Sequence, residues 1–193
     1  MKDSSKKIYI SGEALVPILM KIPYQIIGVE LGVSQGNTTC YLASKLSNLK
    51  KLYAIDPWCQ YKDGVGKLGG FTERIAQENY EITIKNINKL SDIDKSKIEI
   101  VKRTSLESFT FFPERSIDFI YIDADHSYHS VLLDLESWYP KIKKNGLIFG
   151  HDINVTSVRM AIIDFLSDQK IDFNKLHILK NYAWVFRKEE YKC

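Results

Sequence analysis

The stretch QIIGVELGVSQGNTT, residues 25–39, decides how the rest of the chain is read. Its first half is a short, mainly apolar run, too short for a helix and rich in β-branched types, so it reads as a buried strand near Gln25–Leu31. The run ends at Glu30-Leu-Gly32 and passes through Gly36 into a helical pattern from Asn37. Gly32 and Gly36 allow backbone conformations and close approaches that a β-carbon would block, and Asn37 is placed to cap the helix that follows. A strand, a glycine turn and a helix in that order form the opening of a parallel α/β unit whose helix N-terminus favours an anionic group. The spacing is Glu-x-Gly-x-x-x-Gly instead of Gly-x-Gly-x-x-Gly, which argues against a dinucleotide fingerprint and an NAD-dependent oxidoreductase.

The pattern repeats outward. Strands are expected near Lys51–Ile55, Ile98–Lys102, Ile117–Ile122 and Leu147–Gly150, with helices near Asn37–Leu49, Phe71–Leu90, Tyr128–Ile142 and Ser157–Ser167 and a shorter one around Ser105–Phe109. A first helix near Glu13–Lys21, opened by Ser11, precedes them. Such alternation means right-handed crossovers and a parallel sheet covered on both faces. The end of the chain differs: Phe173–Leu179 and Tyr182–Arg187 are separated only by Lys180-Asn181, a gap that permits only an antiparallel hairpin. Five parallel strands plus a terminal hairpin resemble the seven-stranded, Rossmann-like α/β sheet of class I S-adenosylmethionine (SAM) methyltransferases, over about residues 22–188. One domain is expected for the 193 residues.

Bulk properties exclude several classes. With 45% hydrophobic and 26% charged residues the composition is that of a globular protein. The charge of +3, from 27 basic and 24 acidic residues, is scattered in short clusters, so no nucleic-acid partner is expected. The three cysteines have no Cys-x-x-Cys pair, which suits a reducing compartment and a cytoplasmic location. The apolar stretch at the N-terminus is broken by Glu13 and Pro17, so neither a signal peptide nor a membrane span is expected. The sequence is compatible with a homo-oligomer.

The strand ends carry the chemistry. Ile55-Asp56-Pro57-Trp58 puts an acid at the second strand tip, where it would accept the two hydroxyls of a ribose or simply cap a turn. Trp58 is assigned to the same cofactor site, with Glu30, Gly32, Gly36, Asn37 and Thr38. Thr104 and Ser105, after the third strand, are placed either to contact adenine or to cap the next helix. Residues 57–70 are rich in glycine and aromatic side chains and read as a substrate-covering loop, or as an ordinary surface loop. The fourth strand delivers Asp123, Asp125 and His126 to one edge, and the fifth delivers His151 and Asp152. Ligands of open α/β sheets bind outside those carboxyl ends.

The segment IDADHSYHSVLLDLESWYPKIKKNGLIFGHD, residues 122–152, resembles methyltransferase family 24, the relatives of macrolide-sugar O-methyltransferases and cephalosporin hydroxylase-like proteins. More distantly it is similar to catechol and caffeoyl-CoA O-methyltransferases. The resemblance implies a SAM-dependent O-methyltransferase acting on a hydroxyl of a small molecule or saccharide. It implies Asp123 as first ligand of a divalent cation, magnesium or manganese, Asp152 as second and His126 as general base. Asp123 is also assigned to the cofactor side. Where relatives carry an acidic or amide pair, this chain has His151 before Asp152; a nitrogen ligand favours manganese, iron or zinc over magnesium, or else His151 is not a ligand. Two alternatives remain open: metal-independent transfer in which His126 and Asp123 orient the acceptor, and a non-catalytic SAM- or nucleotide-binding module.

Overall fold

The computed structural model describes residues 11–59 and 72–189. The greater part of the expected covering loop at 57–70 therefore lies outside the described residues. Within them, seven strands form one sheet: β1 (Ile26–Leu31), β2 (Leu49–Ile55), β3 (Ile98–Val101), β4 (Ile117–Ile122), β5 (Ile142–Gly150), β6 (His177–Ile178) and β7 (Trp184–Arg187). Their order is β3-β2-β1-β4-β5-β7-β6. β1 to β5 are mutually parallel, and β7 runs antiparallel to both β5 and β6. The expected architecture, parallel strands closed by a hairpin, is the one observed.

The helices are α1 (Val16–Leu19), α2 (Asn37–Lys45), α3 (Glu73–Asn88), α4 (Asp92–Ser96), α5 (Ser105–Ser108), α6 (Tyr128–Trp138) and α7 (Thr156–Asp168). β4 is buried at every position because it lies mid-sheet with layers on both sides. On one face Val29, Leu31, Ile120 and Ile122 pack with Val131, Leu135 and Trp138 of α6 and Ile162 and Phe165 of α7. On the other, Phe119, Tyr121 and Phe149 meet Leu15, Leu19 and Leu42. No described helix is long and apolar enough to cross a membrane.

The differences from the sequence expectation have local causes. α2 stops at Lys45, and α6 at Trp138, because Pro140 cannot continue the hydrogen-bonded ladder; a single 3-10 turn, Tyr139–Lys141, leads into β5. β5 begins at Ile142, five residues before the expected Leu147, but its pairing jumps from Ile117↔Ile142 to Phe119↔Leu147, so residues 143–146 bulge out. Lys143 anchors that bulge on the buried Asp118, 2.9 Å from each of its oxygens. α4 was not expected; Ser91 caps it by accepting from the Asp94 amide. The first segment is a 3-10 turn, Ser11–Ala14, followed by α1, instead of one helix. In the hairpin, the first run opens with a 3-10 turn, Phe173–Lys175, and only His177–Ile178 pairs.

β1 and β4 are neighbours although two other strands of the sheet, β2 and β3, separate them in sequence, and to either side of them the chain winds in opposite directions. This is the switch point of the sheet, and it leaves a crevice between their carboxyl tips. At that crevice Gly32 has φ +85, and a β-carbon on it would stand 2.2 Å from the Asp123 carbonyl oxygen. The two strand tips are thus pressed backbone to backbone.

Candidate active site

The turn after β1 is fastened from three sides. Asp56, at the tip of β2, accepts from the Val33 and Ser34 amides through Oδ2, both at 2.9 Å, and from the Trp58 amide through Oδ1 at 2.7 Å. The Ser34 carbonyl accepts from the Trp58 indole and from the Thr83 hydroxyl of α3, each at 2.8 Å, and Asn86 of α3 donates to the Gln35 carbonyl. Burial raises the Asp56 pKa, against the lowering effect of the amides that hydrogen-bond to it. α2 starts from Gly36 at φ 73 with no side-chain cap, so Asn37 is its first helical residue and not the expected cap. The reason is the glycine: its left-handed conformation brings the chain into the helix one residue earlier.

Inside this turn lies a cavity of about 250 Å³ lined by Ser11, Glu30, Gly32, Val33, Ser34, Gln35, Asn37, Thr38 and Asp123. Glu30 is buried at its base, accepts from the Thr39 hydroxyl at 2.6 Å, and is pushed up to about 8, chiefly by burial. A cationic group entering the cavity would find a carboxyl that gains by ionising. A roomier cavity of about 450 Å³ lies elsewhere, beside Tyr53, Phe111 and Phe112. It has none of the acids or imidazoles of the strand tips, so volume does not mark the reactive site here.

Asp123 is the wall between the cavity and a second group. Its Oδ2 accepts from Ser11 Oγ at 3.1 Å and from Tyr121 Oη at 3.2 Å. Its Oδ1 lies 3.7 Å from His126 Nε2, which in turn is 2.8 Å from Asp152 Oδ2. One donor atom from each of Asp123, His126 and Asp152 falls within 4.8 Å of the others. Two carboxylates and an imidazole at that spacing fit a divalent cation of the magnesium-to-zinc range. Asp152 sits at φ 57, a conformation that Asp tolerates better than most side chains. The carboxylates of Asp123 and Asp152 raise the His126 pKa to about 10, and the imidazoles of His126 and His151 hold Asp152 well below the usual carboxylate range.

His151 stands beside this group, on the same oxygen of Asp152 as His126. Its Nδ1 is 3.1 Å from Asp152 Oδ2, its backbone carbonyl accepts from the Trp184 indole, and it stands outside the group of three. Asp125 turns back on its own chain, accepting from the Ser127 amide and Ser130 hydroxyl, and so braces the start of α6.

The cofactor-side expectations divide in the same manner. Glu30, Gly32, Asn37, Thr38 and Asp123 line one cavity. Gly36 shapes the turn from behind, where a β-carbon would meet Thr83. Trp58 is 2% exposed, packs edge-on against Tyr80, and spends its indole proton on the Ser34 carbonyl, so it supports the turn from below. Thr104 caps α5 in a reciprocal pair with Glu107, and Ser105 accepts from the Trp138 indole at 2.7 Å. Both hydroxyls are committed to scaffold. Ser11, Val33, Ser34 and Gln35 were not singled out for the site. The last three lie between the two glycines and were legible as backbone; Ser11, 112 residues from Asp123, gave no signal.

Comparison with known proteins agrees with the fold. A family model described as a methyltransferase domain (family 24) matches residues 29–153, from the middle of β1 to just past Asp152. Among curated proteins, the uncharacterized protein R132 of Acanthamoeba polyphaga mimivirus is 26% identical over 129 residues, covering 64% of this chain and 50% of that protein. The chain spans half or less of the length of the curated relatives it matches. Among solved structures, a SAM-dependent O-methyltransferase from Thermotoga maritima aligns with a TM-score of 0.65 at 14% identity, over 94% of this chain and 66% of that one. A precorrin-6y C5,15-methyltransferase from Geobacter metallireducens aligns with a TM-score of 0.64 at 9% identity, over 92% and 87%.

Proposed function

The chain belongs to the methyltransferase domain family whose model it matches, and from that premise we propose that it transfers the methyl group of SAM to a hydroxyl of a small molecule or saccharide. The observation that carries this reading is Asp123, which lines the cavity behind the glycine turn and also stands in the group with His126 and Asp152. A cofactor on one side of that carboxylate and an acceptor on the other would have their reacting atoms brought together by a single residue.

In this reading Glu30 and the Gly32–Gln35 turn receive the amino-acid part of the cofactor, and Asp56 keeps the turn in shape. The acceptor oxygen attacks the sulfonium methyl, the methyl–sulfur bond breaks toward sulfur, and S-adenosylhomocysteine leaves. His126 Nε2 takes the hydroxyl proton. A divalent cation, manganese or magnesium, held by Asp123 and Asp152 would lower the pKa of the acceptor hydroxyl and supply the positive charge with which His126 now balances the two acids.

The 2.8 Å pair of His126 with Asp152 also supports a second reading, metal-independent transfer in which the imidazole and Asp123 orient the acceptor. A panel of saccharides, phenols and small alcohols, assayed by release of S-adenosylhomocysteine with Mn²⁺ present, tests the first. His126→Ala is expected to lower turnover by about 10²–10³-fold while changing cofactor affinity by less than about threefold. Equal loss of both would remove the proton-transfer role, and activity that survives exhaustive chelation would favour the second reading.

A further inference from the structure

We propose that Ser11 and Tyr121 are positioning residues that fix the Asp123 carboxylate so that Oδ2 is spent on scaffold and Oδ1 alone is presented to His126 and Asp152. A carboxylate on a strand tip turns easily about its last bond, since that torsion is broad and nearly two-fold. Here both donors converge on the same oxygen. Tyr121 lies two residues before Asp123 on the same face of β4; its ring is fully buried among Phe119, Phe149 and Leu42, and its hydroxyl reaches Asp123 Oδ2 at 3.2 Å.

Ser11 arrives from a distant part of the chain. Its hydroxyl is 3.1 Å from the same oxygen and 3.0 Å from Thr38 Oγ1 at the start of α2. The 3-10 turn that carries it has no slack, because a β-carbon on Gly12 would stand 2.4 Å from the Thr38 methyl group. Asp123 is therefore held from below by the sheet and from the side by the N-terminal turn. With one oxygen committed twice, the carboxylate offers a cation a single donor atom and leaves room at the group for an acceptor oxygen. Because Ser11 and Thr38 also line the cofactor cavity, the same hydroxyls link its two sides.

This inference rests on the proposed cation at Asp123 and Asp152, and its test keeps the two apart. Titration calorimetry with Mn²⁺ alone and with S-adenosylhomocysteine alone would be run on the wild type, Tyr121→Phe, Ser11→Ala and Ser11→Thr. Loss of a residue that orients a metal ligand weakens metal binding by about 10–100-fold. Tyr121→Phe is expected to raise the Mn²⁺ Kd at least about tenfold while leaving the S-adenosylhomocysteine Kd within about twofold. Ser11→Ala, which also touches the cofactor cavity, is expected to weaken both, and Ser11→Thr to restore Mn²⁺ binding. The half-buried Ser11 keeps the test open should Tyr121→Phe fail to fold. Mn²⁺ binding unchanged in both Tyr121→Phe and Ser11→Ala would overturn the positioning role. A wild type that binds S-adenosylhomocysteine but no Mn²⁺ would contradict the cation itself, and this inference would fall with it.

Discussion

Asp56 and Asp152 are the same residue type at the carboxyl tips of two strands of one sheet, yet their oxygens meet opposite company. Among the described residues Asp56 receives three backbone amides and no side-chain cation as hydrogen-bond partners; Asp152 receives two imidazoles. Three fixed amides make a brace, because the donors cannot move without moving the chain. Imidazoles are titratable, displaceable and exposed on one side, so they leave the acid available to a ligand. An acid at a strand tip is thus assigned its task by what reaches its oxygens, which the strand pattern alone does not tell.

The comparison can be broken at the point where the two halves meet. Gly32→Ala sets a β-carbon against the Asp123 carbonyl at a φ that disfavours any side chain, and it is expected to cost about 4 kcal/mol or prevent folding, as read by urea denaturation. A smaller loss would mean that the two tips can part. Asp134, buried in α6 beneath Ser105, tests burial by itself. Its pKa is pushed up to about 7, chiefly by burial, against the Ser105 hydrogen bond. An acid raised in the fold binds its proton more tightly there than in the unfolded chain, so its stability contribution is fully present below about pH 4 and declines as pH rises toward 7. Asp134→Asn should remove roughly 3 kcal/mol of that decline between pH 4 and pH 8; parallel pH–stability curves for variant and wild type would contradict it. The smallest effect sharpens the opening contrast. Asp56→Asn can no longer accept from all three amides and is expected to destabilise by about 2 kcal/mol, whereas Asp152→Asn should change stability by less than about 1 kcal/mol. Equal losses in denaturation would erase the distinction between brace and ligand.

Much of this was legible in the sequence, for identifiable reasons. β1 and β4 are mostly apolar runs, each with a single acid, buried on both faces, so their ends at Leu31 and Ile122 followed from composition. Asp123, His126 and Asp152 came together because strand tips at the middle of a parallel sheet must share an edge. What stayed hidden depends on contacts across the chain. Trp58 next to an acidic strand tip reads equally well as a ligand wall and as a support, and only the position of the Ser34 carbonyl decides. Thr104 and Ser105 suit adenine as well as a helix cap until Glu107 and Trp138 claim them. The bulge at residues 143–146 fell between the expected helix end at Ile142 and the expected strand start at Leu147; Lys143 is drawn back into the sheet by Asp118, 25 residues away.

The central claim is that the turn after β1 receives SAM, and titration calorimetry of the wild-type chain with S-adenosylhomocysteine, run beside NAD, tests it most directly. Saturable one-to-one binding of S-adenosylhomocysteine with none of NAD is predicted. No heat with S-adenosylhomocysteine or with SAM, or a preference for NAD, would contradict it.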